Sequence, residues 1–391
     1  MAASSQPSHD HKPLSVSDIS IFKHFRGLKD PRRRHRRLHR LQDIIIIAVC
    51  AIIAGAQDWQ EIQVFARNRR TWLERFLELP NGIPSHDTFE RVFDRINPEA
   101  FLACFRQWIQ VVQEALTIKH VAIDGKTLRS SGSAKLGPLH LVSAWATAQR
   151  LSLGQVAVDQ KSNEITAIPE LLDLLDVKGA WVTIDAMGCQ KAIAQKIVDG
   201  RGHYILTVKD NQEHLLTDIQ QSLADACEKE FAGLEYDKYE TRERGHGRDE
   251  YRCYTVLHQT AGLRNAADWA DLTTIGMCYS ERTINGVRSE EARYFIGSRK
   301  ASAKVYGKAL RNHWGIENSL HWQLDLTFDE DHNRVSKRNA AQNLALLRRQ
   351  TLSLLQAHPA KLSIAKKRFT AALNTDFLEE ILRSDGILEK Q

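Results

Sequence analysis

Two aspartates in this sequence stand where a folded chain would place them at the ends of buried strands. Asp124 follows the apolar run 121–123, and Asp185 follows the largely apolar run 181–184. A continuous apolar run ahead of a carboxylate predicts a strand that is covered on both faces and carries the acidic group at its C-terminal end. A buried carboxylate is costly unless it is paired or binds a metal. The alternative for Asp124 is that it only caps a turn.

Glu317 belongs to a segment, 302–325, that we expect to be helical. In a helix, residues three and four positions apart share a face. On this face Glu317 has four neighbours, His313, Trp314, Leu320 and His321. We therefore expect Glu317 to project toward packed structure, where it needs a partner. The alternative is an ion pair of Glu317 with Arg311 or His313.

Three carboxylates at these positions would form a hard-oxygen ligand set suited to Mg²⁺ or Mn²⁺, and we expect two ions. Two such ions clamp the attacking and leaving oxygens in phosphoryl transfer. The spacing is not diagnostic in a chain with 48 acidic residues. The hypothesis of a metal site at Asp124, Asp185 and Glu317 depends instead on the buried element that carries each residue.

Basic residues occur beside the first aspartate and near the N-terminus. Lys126 and Arg129 are suited to phosphate oxygens, and Gly125 before them would let a ligand backbone approach closely. The segment 29–40 carries seven lysines and arginines, a pattern typical of a nucleic-acid-binding surface. Its candidate DNA-binding residues are Arg32, Arg33, Arg34, Arg36 and Arg37. The alternative is a solvated helix start with Pro31 in its first turn.

The elements that must position these residues change in character along the chain. From 41 to 116 the apolar residues follow a helical period, and the turn and helix at 80–96 resemble a helix-turn-helix. Strands are then predicted at 121–126, 139–147, 151–161, 180–186 and 203–209, with helices at 164–175 and 190–198. This order is that expected of a ribonuclease-H-like sheet. Further strand-like segments follow between 231 and 298.

These patterns predict an α/β protein with an all-α N-terminal part. We expect a flexible tail at 1–20, an all-α domain at 21–118 whose basic run favours DNA binding, and an α/β domain with the ribonuclease-H-like sheet at 119–391. The strand-like segments at about 231–300 would form a β-rich block within that domain. Residues 302–325 and 337–357 are predicted to be helices of that same domain.

Composition narrows the class of protein. The net charge is +6, with 42% hydrophobic and 26% charged residues, as in ordinary globular proteins. The six cysteines are scattered without a CxxC pair, which argues against a zinc ribbon or a disulfide framework and fits a reducing cytosol. The polar N-terminus lacks a signal-peptide pattern, and the longest apolar stretch, 44–54, is too short to cross a bilayer. We expect a cytoplasmic protein without a membrane partner and 44–54 as a buried helix.

Several short stretches together resemble the bacterial insertion-sequence DDE transposases of the H-repeat-associated group. They are 84–89, 122–126, 161–169, 183–186, 209–212, 245–248 and 311–318. The resemblance implies a ribonuclease-H-like catalytic domain with a β-rich insertion before the glutamate. It also implies that Asp124, Asp185 and Glu317 are the metal-binding catalytic triad. The implied partners are the terminal inverted repeats and target DNA, bound by a homodimer that associates with the bacterial nucleoid.

The sequence departs from the wider superfamily around the glutamate. His313 stands where an arginine is common, and Leu324 stands where a lysine is common. Phosphate contacts at those two positions are therefore not carried over. Arg311, Lys209 and Arg248 are the predicted DNA-binding substitutes.

The implied activity is metal-dependent cleavage of DNA at the ends of an insertion sequence, followed by strand transfer into target DNA. One alternative is a DNA-binding remnant or regulator of a mobile element that has no catalytic activity. Another is a structure-specific nuclease that cuts without joining. Trp314 and Trp322 are expected to lie in the core, since large aromatic side chains mostly pack, with stacking on a flipped base as the alternative.

Overall fold

The computed structural model describes residues 23–115, 117–132, 137–158, 163–245 and 247–383. The predicted flexible tail, 1–20, lies outside the described residues. So do three residues of the stretches that carry the resemblance, namely Lys161, Ser162 and His246. The chain forms two compact units. Within the described residues, the first unit comprises 23–112 and 339–383, and the second comprises 113–338.

The N-terminal part of the first unit is built from helices. They are α1 (Leu41–Ile53), α2 (Trp59–Asn68), α3 (Arg70–Leu73), α4 (His86–Arg95) and α5 (Pro98–Ala115). Helix α1 contains the apolar stretch 44–54 except for its last residue and is almost wholly buried, as predicted. Ser85 caps α4 by accepting a hydrogen bond from the backbone N–H of Thr88 at 3.3 Å, which satisfies a free donor of the first turn.

A nine-stranded mixed sheet forms the centre of the second unit. Its strands are β1 (His120–Leu128), β2 (Leu139–Ala146), β3 (Leu151–Ala157), β4 (Trp181–Ile184), β5 (His203–Val208), β6 (Tyr236–Gly245), β7 (Arg248–Leu257), β8 (Thr274–Ile284) and β9 (Val287–Gly297). The order across the sheet is β3-β2-β1-β4-β5-β9-β8-β7-β6. Strand β1 pairs antiparallel with β2 and parallel with β4, and β5 joins β9 antiparallel.

Strand β6 lies within the β-rich segment predicted at about 231–300, but no sequence pattern marks it as a separate strand. It ends at Gly245, and Arg248 begins β7. The burial of β6 alternates only between half-buried and exposed side chains. Because the strand has no apolar face, hydrophobic periodicity gives no signal for it.

The register between β1 and β4 places the two aspartates side by side. Ile123 pairs with Ile184 in the parallel ladder. Asp124 and Asp185 are the next residues of their chains, so they stand at equivalent positions of adjacent strands. Neighbouring strands lie about 4.8 Å apart. The sheet thus brings together residues that are far apart in the sequence.

Helices of the second unit complete the surroundings of the sheet. They are α6 (Glu164–Asp173), α7 (Lys191–Asp199), α8 (Glu213–Glu228), α9 (Ala303–Ile316), a π-helical turn (Glu317–His321) and α10 (Trp322–Leu326). Helix α9 packs on strands β1, β4 and β5 and on the meander β6–β7. Its Tyr306 stacks on Phe295 with ring centroids 5.4 Å apart. A Cβ at Gly297 would lie 2.1 Å from the Tyr306 hydroxyl, so glycine is required for this packing.

The C-terminal helices belong to the first unit. They are α11 (Arg338–Ala357), α12 (Ile364–Leu373) and α13 (Thr375–Arg383). Asn343 donates hydrogen bonds to the carbonyl oxygens of Phe93 and Ile96, and Trp72 donates to the buried carboxylate of Glu379 at 2.8 Å. The predicted domain 119–391 therefore differs from the compact unit, which ends at 338. Helical periodicity identifies a buried face but not the partner that covers it.

Candidate active site

Asp124 lies in β1 with only 13% of its side chain exposed. Burial, together with the neighbouring carboxylates of Glu317 and Asp185, raises the pKa of its carboxyl to about 9. A backbone hydrogen bond from Gly125 acts in the opposite direction. Without a cation, the Asp124 carboxyl is therefore protonated at neutral pH.

Glu317 opens the π-helical turn that follows α9. The neighbouring His321 side chain, together with Asp124, lowers the pKa of Glu317 to about 2. Its side chain is 55% exposed, so it does not face packed structure as predicted. The apolar side of this helix consists instead of the buried residues Ile316, Leu320 and Leu324. Glu317 stands at the border between that packed side and solvent.

His321 connects the two carboxyl groups. Its Nδ1 atom lies 3.5 Å from Asp124 Oδ2 and 3.5 Å from Glu317 Oε2. Among the described residues, Asp124, Glu317 and His321 form a group whose potential ligand atoms all lie within 4.8 Å of one another. The sequence analysis placed His321 on the face of Glu317 but gave it no role, because one helix face does not reveal what lies opposite.

Asp185 adjoins this group without being part of it. Its side chain caps the short 3-10 turn Ala186–Gly188 by accepting a hydrogen bond from the N–H of Met187 at 3.1 Å. Burial raises the pKa of Asp185, and the Glu164 carboxylate adds to this effect. The structure therefore brings Asp124 and Glu317 into one cluster and sets Asp185 on the neighbouring strand. Glu164 is a further carboxylate near the site that sequence reasoning did not single out.

The residues fit a divalent cation. Asp124 and Glu317 present carboxylate oxygens to a common space, with Asp185 at the next strand, and oxygen donors suit Mg²⁺ and Mn²⁺. The raised pKa of Asp124 reflects burial beside other carboxylates. A bound cation would relieve both the desolvation and the repulsion.

A buried hydrogen-bonded chain lies under the carboxylates. His313 Nδ1 is 3.0 Å from the Thr183 hydroxyl, which is 3.0 Å from His120 Nε2. The other nitrogen of His120 is 2.8 Å from the hydroxyl of Thr147. Burial lowers the pKa of His120 to about 3 and that of His313 to about 4, so both rings are neutral at pH 7. This series of hydrogen bonds connects α9 to β4 and β1.

Arg311 and His313, the alternative ion-pair partners considered for Glu317, are bound to other residues. Arg311 donates to Glu243 on β6 at 2.9 Å, and Nδ1 of His313 is bound to the hydroxyl of Thr183. The closest ionisable partners of Glu317 are His321 and Asp124. The sequence analysis assumed a regular α-helix through Glu317. The π-helical turn at Glu317–His321 changes which residues share a helix face.

Lys126, a candidate for phosphate contact, is buried and already paired. Its ammonium group lies 2.6 Å from Asp325 and 3.2 Å from Asp331, with 8% of the side chain exposed. Arg129 reaches the same Asp331 at 3.3 Å but is largely exposed. Lys126 therefore connects β1 to α10 and to the segment that follows α10. Its carboxylate partners lie about 200 positions further along the sequence, beyond the reach of local pattern analysis.

A cavity of about 340 Å³ opens between the meander and α9. Five arginines line it, namely Arg248, Arg252, Arg282, Arg293 and Arg311. Three of them pair with the buried carboxylate of Glu250, which keeps their charges close together. The predicted DNA-binding residues Arg248 and Arg311 thus belong to one basic cavity.

Two tryptophans beside the carboxylate site are exposed. Trp314 is 41% exposed and Trp322 is 54% exposed, so the prediction that they lie in the core is wrong. Trp314 also lines the basic cavity, and the guanidinium of Arg293 lies 4.6 Å from its ring centroid. The π-helical turn between the two tryptophans prevents a reliable assignment of their faces from a regular helical period.

The other predicted DNA-binding residues have different environments. Lys209 is exposed, and its positive charge partly offsets the rise in the pKa of Asp185. In the basic run, Arg32 is buried and pairs with Asp30 at 2.8 Å, while Arg37 donates to backbone carbonyl oxygens. Arg33, Arg34 and Arg36 are exposed, and so is the side chain of Arg37. The run forms a 3-10 turn at Arg34–Arg36 and not the helix start considered as the alternative.

Comparison with known proteins defines the class of protein. Residues 116–355 match the family described as "Transposase DDE domain", and residues 22–109 match the family described as "DDE_Tnp_1-associated". The chain therefore belongs to the DDE transposase family. This family normally uses divalent metal ions. The observed cluster of two carboxylates and one histidine agrees with that requirement.

Individual relatives place the chain within that family. It is 40% identical over 377 residues to "Putative transposase YncI" of Escherichia coli O157:H7, covering 94% of this chain and 96% of the relative. It is 36% identical over 375 residues to "H repeat-associated putative transposase YhhI" of Escherichia coli strain K12, covering 94% and 98%. The resemblance to the H-repeat-associated group is confirmed.

One solved structure gives only a distant likeness. A piggyBac transposase synaptic complex with hairpin DNA has a TM-score of 0.44 and 10% identity, covering 94% of this chain and 82% of that one. This likeness is too weak to support a statement about the fold. No helix in the described parts of the chain is long and apolar enough to cross a membrane.

Proposed function

We propose that this protein cuts DNA at the ends of an insertion sequence and joins those ends to target DNA. The observation that carries the proposal is the meeting of Asp124 with Glu317, beside Asp185, in a chain of the DDE transposase family. The strand order β3-β2-β1-β4-β5, with only β2 antiparallel to β1, supports a ribonuclease-H-like catalytic sheet. Strands β6–β9 then form the β-rich insertion before the glutamate.

Asp124, Asp185 and Glu317 would hold the ions, which we take to be two Mg²⁺ or Mn²⁺. Bound divalent cations neutralise phosphodiester charge and lower the pKa of an attacking water. The chain contributes positioning, which dominates in-line phosphoryl transfer. Strand register fixes the two aspartates, and the buried chain through Thr183 and His313 fixes the helix that ends at Glu317.

DNA contacts would come from the exposed basic residues in each unit. In the first unit these include Arg33, Arg34, Arg36 and Arg37, and in the second they include Arg129, Lys209 and the basic cavity with Arg248 and Arg311. Lys126 and Arg32 are less suited, since both are buried and paired with carboxylates. The partners would be the terminal inverted repeats and target DNA. We further propose a homodimer on DNA, located in the cytoplasm and associated with the nucleoid.

The test uses full-length protein and labelled duplexes that carry the inverted repeats flanking its reading frame. We expect Mg²⁺-dependent nicking at the repeat ends and, with a plasmid present, covalent joining of the cut end to it. Asp124→Asn should abolish both products while it leaves DNA binding within about twofold. An Asp124→Asn protein that cuts at the wild-type rate would remove Asp124 from the mechanism. Cleavage without joining would identify a nuclease, and binding without cleavage a regulator.

A further inference from the structure

The buried imidazole of His321 has an unusual position between two acidic groups. The residue is 6% exposed and closes the π-helical turn that Glu317 opens. π-Helical turns are rare and occur frequently at functional sites. The two helix residues of the cluster are thus the first and last residues of this turn.

The distances around His321 suit a shared ion better than direct hydrogen bonds. Nδ1 lies 3.5 Å from each of the two carboxylate oxygens, which is beyond the 2.7–3.2 Å of ordinary N–H···O bonds. Two ligand atoms each about 2.1 Å from one ion, at roughly 90–110°, lie about 3.0–3.5 Å apart. The two distances from Nδ1 therefore fit a nitrogen that shares one cation with each carboxylate, and all potential ligand atoms of the three residues lie within 4.8 Å of one another.

The two ring nitrogens of His321 have different surroundings. Nε2 is buried and has no hydrogen-bond partner. Nδ1 faces the carboxylates of Asp124 and Glu317. A neutral imidazole that carries its proton on Nε2 presents the free lone pair of Nδ1 to the space between these carboxylates.

We propose that His321 is a ligand of the ion held between Asp124 and Glu317, so that this position takes one nitrogen and two carboxylate donors. The proposal rests on the metal-dependent function proposed above. Imidazole suits transition metals better than Mg²⁺. The position should therefore bind Mn²⁺ more tightly than a site of carboxylates alone, and His321 should contribute more to Mn²⁺ affinity than to Mg²⁺ affinity.

The test uses full-length protein with Mn²⁺ as the probe. Electron spin-echo envelope modulation of bound Mn²⁺ should show coupling to ¹⁴N, which changes when the protein carries ¹⁵N-histidine. This measurement on the unmodified sequence does not depend on the folding of any variant. Mn²⁺ bound without a histidine coupling would overturn the role of His321 and leave the carboxylate site intact. Failure of Mn²⁺ to bind would overturn this proposal and the metal site beneath it.

Variants then assign the signal to one histidine. His321→Gln should remove the nitrogen coupling and weaken Mn²⁺ binding in calorimetry by at least about tenfold, since even partners of metal ligands contribute roughly 10- to 100-fold. Its effect on Mg²⁺ affinity should be several-fold smaller. The matched control is His332→Gln, which changes an exposed histidine paired with Asp329 and should alter neither value. Equal losses for both ions would indicate a structural role and contradict the proposal.

Discussion

Replacement of Asp124 by asparagine is expected to stabilise the metal-free protein while it abolishes strand cleavage. The pKa of Asp124 is about 9 in the folded chain, compared with about 3.9 in an unfolded chain. Folding at neutral pH therefore requires the carboxyl to take up a proton. Asparagine needs no proton, and its amide can donate a hydrogen bond to Glu317.

The size of the effect follows from this difference in pKa. At pH 7 the relevant interval runs from about 3.9 to 7, and about 1.4 kcal/mol per unit gives about 4 kcal/mol. The folded wild-type protein binds more protons than the unfolded chain, so its stability falls as pH rises from about 4 to about 9. The variant lacks this contribution. The difference in unfolding free energy should therefore be close to zero at pH 4 and about 4 kcal/mol at pH 7.

The assay is denaturant unfolding in a chelator between pH 4 and pH 9, with thermal melts in parallel. A gain of about 4 kcal/mol corresponds to a rise in Tm of about 8 °C or more for a unit of this size. Added Mg²⁺ should raise the Tm of the wild-type protein and not that of the variant. Asp173→Asn is the control, because that side chain is 63% exposed and its replacement should stay within about 0.5 kcal/mol. A variant less stable than wild type at pH 7 would refute the reasoning.

Two further predictions concern charged residues. Lys126→Ala should lower the unfolding free energy by about 3 kcal/mol, since it leaves the carboxylates of Asp325 and Asp331 without their buried partner. Arg129→Ala should lower it by less than about 1 kcal/mol, because that side chain is exposed. Equal losses of the two variants in urea unfolding would contradict this difference. Joint replacement of Arg33, Arg34 and Arg36 by alanine should reduce the slope of the log DNA-binding constant against the log salt concentration by about 2.7, without lowering Tm. An unchanged slope would exclude the basic run from the DNA interface.

The parts of the site that sequence could predict are those fixed by local pattern. The apolar runs ahead of Asp124 and Asp185 identify the two strands, and the parallel pairing of β1 with β4 then sets the residues side by side. Asp185 directly follows β4, but the prediction that Asp124 ends its strand is wrong, because β1 continues to Leu128. Residues 203–209 were predicted as a strand from the same kind of pattern, and β5 spans His203–Val208. In each case the side chains of one short segment carry the information.

The features that sequence did not predict depend on partners far away in the chain. The ion pairs of Lys126 with Asp325 and Asp331 join residues about 200 positions apart. The assignment of 339–383 to the first unit depends on contacts such as Asn343 with Phe93. The π-helical turn at Glu317–His321 changes a helical phase that was predicted as regular. Each of these features depends on tertiary packing and not on the periodicity of apolar residues in the sequence.

The hairpin between β8 and β9 can change in length without a change in the register between β9 and β5. Asn285 and Gly286 adopt φ values of 50° and 83°, which suit a two-residue reverse turn, and the strand ends beside them are exposed. At its other end, β9 is hydrogen-bonded to β5 before the chain enters α9. Additions at the hairpin tip would therefore leave the arrival point of Glu317 unchanged. Residues 285–286 are therefore a suitable place to attach a fluorophore tag or a foreign DNA-targeting module to this protein.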